Sequence, residues 1–215
     1  MVVFFKWLCL ALGFGLHVAP ILTMMKVVEK RSTMNYHIST YAFAFLNQST
    51  NLIYAYLRQD FTLMFHRIIG TLCNFVYISI FLYYCNNKEQ SKSFLFTLQM
   101  IGLCFVGMGV DYLRLYKYTH DIFNFHMSVF GALTGILLAA GPLATIRTVI
   151  STKNASSLPL PFLVAVTSQC IAWTLYGFLQ DDVSTLINNL VGVFLGAFQL
   201  CLIAYYGRKT VEVLP

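Results

Sequence analysis

Acidic side chains are scarce in this chain: eight Asp and Glu occur among 215 residues, and none falls near the centre of a long apolar run. Carriers that couple transport to protons place a carboxylate or a histidine relay inside the membrane, so the material for a carboxylate relay is missing. Paired cysteine spacing is missing too. Cys9, Cys73, Cys85, Cys104, Cys170 and Cys201 stand singly in or beside apolar runs, which excludes a zinc ribbon or a redox dithiol and reads as small buried hydrophobes. The five histidines, His17, His37, His66, His120 and His126, show no ligand spacing, so neither a metal nor a cofactor is expected. His17, inside the first apolar run, is the one placed to carry a proton. No nucleophile, base or metal constellation emerges, and an enzyme is not expected.

What is abundant is apolar. A chain that is 58% hydrophobic and 10% charged exceeds what a water-soluble domain of this length could hide in one core, so lipid must be part of its solvent. A spanning helix takes roughly 20 apolar residues. Apolar runs fall at about 3 to 25, 36 to 57, 62 to 84, 94 to 112, 126 to 149, 159 to 179 and 184 to 206, which predicts seven spans. The first run follows Lys6 in the manner of a signal peptide, but its pattern returns later in the chain and marks it as a permanent helix. Of the 14 Lys and Arg, nine collect on one side when the connecting segments are alternated across a membrane, and five (Lys6, Arg58, Arg67, Arg114 and Lys117) fall on the other. The richer side is cytoplasmic by the positive-inside rule, which puts the N-terminus outside or in a lumen and the C-terminus in the cytosol. These cations form no basic stripe with stacking aromatics, so nucleic acid is not a partner.

The strongest signal is a repeat, seen when each residue is set beside the one 122 positions later. Pro20 then meets Pro142, Gly13 meets Gly135, Thr23 meets Thr145, Tyr54 meets Tyr176, Asp60 meets Asp182, Gly70 meets Gly192, and Tyr83-Tyr84 meet Tyr205-Tyr206. Matches of Pro, Gly, Asp and Tyr in a single register do not follow from apolar composition and imply duplication. The fold class is therefore an all-α membrane protein with seven transmembrane helices in a 3+1+3 arrangement. Residues 1–85 form the first three-helix repeat, 86–125 a linker with the fourth span, 126–207 the second repeat and 208–215 a short cytosolic tail. One linking span gives both triplets the same orientation, the parallel-repeat plan of transporters that bind substrate between their halves.

Gly141-Pro142-Leu143, Thr152-Lys153 leading to Ser157-Leu158-Pro159, Trp173-Thr174-Leu175-Tyr176-Gly177, and Ile187-Asn188-Asn189-Leu190-Val191-Gly192 with Leu195-Gly196 follow one another in the second repeat. Lys30-Arg31-Ser32-Thr33, Asn47 and Tyr54 correspond in the first. In these motifs the chain resembles the SWEET family of sugar transporters from about Gly13 to Tyr206. The resemblance implies facilitative passage of mono- or disaccharides. It implies sugar binding at Asn189 and Trp173, with Asn51, Asn47 and Arg67 on the first-repeat side. It also implies hinges at Pro20, Pro142 and Pro159 and an outer gate of Tyr54, Tyr176 and Asp182. It places the chain in a plasma membrane or a Golgi or other endomembrane, with sugar and the lipid bilayer as partners and room for a homo-oligomer. Two positions depart from the family pattern: Thr40 stands where a fourth hinge proline belongs, and Arg67 where the first-repeat pocket asparagine belongs.

The residues themselves allow this and alternatives. Asn189 can donate and accept toward a hydroxyl, or bond a neighbouring helix. Trp173 offers a flat apolar face, or sits in an interfacial belt. Pro20 and Pro142 each remove a helix hydrogen bond and bend their spans; a bend can be a hinge or a static kink. Pro159, with Pro161, can hinge or simply start a helix. Arg67 lies about two turns into its span, where it can snorkel outward, pair with Asp60 two turns away, or donate into a cavity. Gly131-x-x-x-Gly135 and Gly192-x-x-x-Gly196 read as close helix packing.

Facilitative sugar transport by alternating access is the function these features favour. A proton-coupled amino-acid carrier of the related PQ-loop type is the nearest rival, although no Pro-Gln dipeptide occurs. A ligand sensor on the same fold that does not transport is the other. A rhodopsin-like receptor is disfavoured by the repeat and by the absence of Asn-Pro-x-x-Tyr from the last run.

Overall fold

Proline has no amide proton to give to a helix, and the first apolar run divides at one: α1 is Val2–Val18 and α2 is Ile21–Lys30, with Pro20 as the N-cap of α2. The chain continues through α3 (Ser39–Leu57), α4 (Phe61–Tyr83), a helical segment over 102–110, α5 (His120–Leu138), α6 (Ala140–Thr152), α7 (Leu160–Leu179) and α8 (Val183–Tyr206). This is a computed structural model. It describes residues 2–33, 39–85, 102–110, 120–138, 140–156 and 158–207, with single helical positions at 92, 99, 112 and 113. The expected 208–215 tail and much of the 86–125 linker lie outside the described residues. So does the side chain of Thr40, whose backbone is in α3.

All elements among the described residues are helical. Among the described residues, four stretches are long and apolar enough to cross a membrane: Val3–Lys30 taken through its break, Phe61–Tyr83, Leu160–Leu179 and Val183–Tyr206. Helix α3 is 19 residues long but carries Asn47, Gln48, Ser49, Thr50 and Asn51 in succession. Most of that polar stretch is buried, and its helix returns the bonds: Thr50 Oγ1 donates to the Leu46 carbonyl at 2.8 Å and Asn51 Nδ2 to the Asn47 carbonyl at 2.8 Å.

The chain forms two compact units, one of Gly13–Leu138 and one of Met1–Leu12 with Ala139–Pro215. These cuts differ from the repeat boundaries, because the first turns of α1 join the second-repeat helices and α5 joins the first-repeat helices. In the first unit α4 packs on α2 and α3, and Met24, Val27, Ala42, Leu46, Tyr77, Ile78 and Phe81 form a buried core. In the other, α8 packs on α6 and α7 around Ile146, Val149, Ala155, Leu158 and Leu202. Val27 and Val149, both fully buried, are partners in the 122-residue register.

The backbone repeats more closely than the side chains do. Among the described residues, four other than glycine adopt left-handed φ: Arg31 (47°), Gln59 (56°), Lys153 (51°) and Asp181 (50°). They pair in register, Arg31 with Lys153 and Gln59 with Asp181. Each of the latter two precedes an aspartate that caps a helix. Asp60 Oδ1 accepts from Thr62 N at 3.0 Å and Leu63 N at 3.1 Å; Asp182 Oδ1 accepts from Thr185 N at 3.0 Å, and its Oδ2 from Thr185 Oγ1 at 2.7 Å. A helix start leaves its first amides unbonded, and in a span no water replaces the missing partner.

Pro159 occupies the N-cap of α7 with φ −77° and ψ 95°, and Pro161 lies in its first turn, where proline is tolerated. The Gly-x-x-x-Gly motif of α8 faces α7. A Cβ on Gly192 would stand 2.5 Å from the Cys170 sulfur, and one on Gly196 would overlap Thr167.

Two outcomes are expected. Asp60→Ala and Asp182→Ala should each destabilise the protein by about 1 kcal/mol or more, with the larger loss at Asp182, which is 1% exposed; melting in detergent checks this. Gly192→Val should separate α7 from α8 and lower the melting temperature further than either, by a cost of about 1–3 kcal/mol for overpacking.

Candidate functional site

The second-repeat residues named from the sequence lie on α7 and α8. A Cβ on Gly177 would meet Leu186 N at 2.8 Å, and Gly192 and Gly196 close on Cys170 and Thr167. Those three close approaches fix the antiparallel register of the two helices, and that register sets Trp173 and Asn189 at one level of the pair. Asn189 is half-buried, and its Nδ2 donates to the Thr185 carbonyl of its own helix at 2.8 Å. Thr185 is in turn held by Asp182. One face of α8 therefore carries a chain of bonds from the helix cap to Asn189, which orients the amide and keeps its oxygen available to accept. Trp173 is 2% exposed and stands edge-on to Tyr176, 5.4 Å between ring centroids, so a lipid-facing belt position does not describe it. Tyr176 is buried as well.

The first-repeat residues lie on α3 and α4, and they are spoken for differently. Asn47 Nδ2 donates to Thr134 Oγ1 at 3.1 Å and to the Gly131 carbonyl at 3.4 Å, which ties α3 to α5. Asn51, 5% exposed, sits against Gly131, whose missing side chain leaves 3.0 Å between the Cβ position and Asn51 Oδ1. Tyr54 is buried one turn further along, with the Arg58 guanidinium carbon 6.0 Å from its ring centre. Asp182 and Asp60 both serve as caps, and Asp182 has that role at the position named as a gate.

Arg67 is half-buried, and its Nη1 donates to Gln48 Oε1 on α3 at 2.9 Å. A Cβ on Gly70 would stand 2.7 Å from both Gln48 Cδ and His17 Cε1. His17 and His66 lie with ring centroids 4.7 Å apart. Gln48 and His66 were not singled out from the sequence. The signal was available for Gln48, an amide in mid-run at the register partner of Cys170, and each of the two meets the glycine of the facing helix. His66 carried no such signal, because its neighbour His17 is 49 positions away.

The break between α1 and α2, and the proline of α6, are also reached from inside their own units. Tyr77 Oη donates to the His17 carbonyl in the last turn of α1 at 2.6 Å. Gln199 Nε2 donates to the Pro142 carbonyl in the first turn of α6 at 3.4 Å. Tyr77 and Gln199 are partners in the 122-residue register. Among the described residues no group of three or more His, Cys, Asp or Glu is placed to hold a metal.

Comparison with known proteins agrees with this duplicated plan. A family model described as a sugar efflux transporter for intercellular exchange matches residues 3–89 and again 125–211, two copies 122 residues apart. The chain is 26% identical over 207 residues to the bidirectional sugar transporter SWEET10 of Arabidopsis thaliana, covering 94% of this chain and 70% of that one. It is 28% identical to the sugar transporter SWEET1 of Drosophila pseudoobscura pseudoobscura, covering 86% and 80%. Its fold matches the 3.7 Å structure of a eukaryotic SWEET transporter with a TM-score of 0.80 at 22% identity, over 94% of this chain and 98% of that one. The two matched copies take in most of the sequence, and the chain belongs to the SWEET family of sugar transporters.

Proposed function

We propose that this chain carries mono- or disaccharides down their gradient across a membrane by alternating access. The observation that carries the reading is the pair of family matches one repeat length apart, joined to a fold shared with a SWEET transporter. Its spans are arranged three, one and three, with the N-terminus outside or lumenal and the C-terminus cytosolic, in a plasma membrane or an endomembrane. The family is one of transporters, not enzymes. Asn189, oriented through Thr185 and Asp182, meets sugar hydroxyls, and Trp173 lies at its level on α7. Asn47, Asn51 and Arg67 supply the first-repeat side. Pro20, Pro142 and Pro159 serve as hinges, with Thr40 in the fourth such place, and Tyr54, Tyr176 and Asp182 form the outer gate.

One observation favours a second reading. The His17 and His66 rings lie together inside the spans, and a histidine pair is a group through which a carrier can couple sugar to protons.

Purified protein in liposomes should take up labelled glucose or sucrose without a proton gradient, and Asn189→Ala should lower that uptake roughly tenfold or more, as the loss of one or two hydrogen bonds to substrate requires. Uptake that appears only with a gradient would select the proton-coupled carrier. Binding without uptake of any sugar would select the sensor.

A further inference from the structure

The two half-sites differ in charge. In the 122-residue register Asn189 of α8 is matched by Arg67 of α4, so a neutral amide in one repeat corresponds to a permanent cation in the other. An ionisable residue in a span is costly to place and usually marks a ligand path. Arg67 is half-buried, not sealed. Gln48 holds its guanidinium in place through Nη1 at 2.9 Å.

The neighbours of Arg67 extend this polarity. His17 and Gln48 converge on the side-chain space that Gly70 leaves empty, and His66 packs on His17 at 4.7 Å. Arg67 is close enough to both imidazoles to act on each electrostatically. His17 is 9% exposed, and among the described residues nothing hydrogen-bonds its Nε2. A buried polar atom in that position is costly unless something pairs with it. Guanidinium, imidazole and amide together offer N–H donors around one fixed positive charge, which is the chemistry that recognises an oxyanion. One fixed charge balances a carboxylate, whereas a phosphate dianion would exceed it.

We propose that the Arg67, His17 and Gln48 cluster binds the carboxylate of an acidic sugar, a uronic or aldonic acid, so that this chain prefers such a sugar to its neutral counterpart. The proposal rests on the sugar-transport reading above and specifies its substrate class.

The test uses the full chain in proteoliposomes and follows the uptake of labelled glucose against three unlabelled competitors: glucuronate, its neutral methyl ester, and glucose 6-phosphate. Glucuronate should compete roughly tenfold better than the ester, the effect of one charge-assisted hydrogen-bonded pair. Arg67→Asn should erase that difference and Arg67→Lys keep part of it. If Arg67→Asn fails to fold, the comparison of acid with ester on the unaltered chain decides alone. An ester that competes as well as the acid, while glucose is taken up, overturns the proposal and leaves sugar transport standing. Glucose 6-phosphate competing better than glucuronate overturns the carboxylate assignment. A chain that neither moves nor binds any of these sugars overturns this proposal and the transport reading together, and the missing glucose signal tells that failure from the first.

Discussion

A carbonyl released from a helix inside lipid has no water to turn to and must find a partner in the protein. Helix α1 ends at Val18, just before Pro20, and the hydroxyl of Tyr77 supplies that partner for His17 at 2.6 Å. Gln199 reaches the Pro142 carbonyl from the equivalent place on α8. The same helices carry the apolar contacts. α4 sets Tyr77, Ile78 and Phe81 against Met24 and Val27 of α2, and α8 sets Leu202 beside Ile146 and Val149 of α6. In each repeat the third helix thus holds the helix that follows the register-matched proline, through one polar contact near that proline and an apolar patch beyond it.

On this scaffold the repeat is faithful wherever backbone geometry is at stake. Left-handed residues, helix caps and the close-packed pair Gly70 and Gly192 recur in register. It departs where side chains define chemistry: Arg67 against Asn189, Asn51 against Trp173, and Gln48 against Cys170. Asn51 and Asn189 each donate to the carbonyl one turn back in their own helix, while Asn47 ties α3 to α5. At the register position of Arg67 and Asn189 the charge lies in the first-repeat copy alone.

Much of this was legible in the sequence, because duplication turns one chain into two observations of the same unit. Pro20 marks the break between α1 and α2, and the aligned pair Asp60 and Asp182 marks helix starts, without any structure. The capping role of the aspartates was not legible, because a polar residue at the end of an apolar run shows its partners only in the folded chain, here Thr62, Leu63 and Thr185. Arg67 had Asp60 as its sequence neighbour two turns away, but its bond to Gln48 crosses between helices, a direction that periodicity along one helix does not encode. The contact of His17 with His66 was hidden for the same reason.

The most direct test compares the two register-matched donors, through the melting temperatures of Tyr77→Phe and Gln199→Leu measured side by side in detergent. Tyr77→Phe leaves the His17 carbonyl at the α1–α2 break without its donor, a cost of about 1–3 kcal/mol, while Gln199→Leu removes an additional bond to a Pro142 carbonyl that lies within α6. Both variants should melt below the parent chain, Tyr77→Phe the more so because its bond is 2.6 Å and the Gln199 bond 3.4 Å. Melting of either variant at the parent temperature would contradict the account.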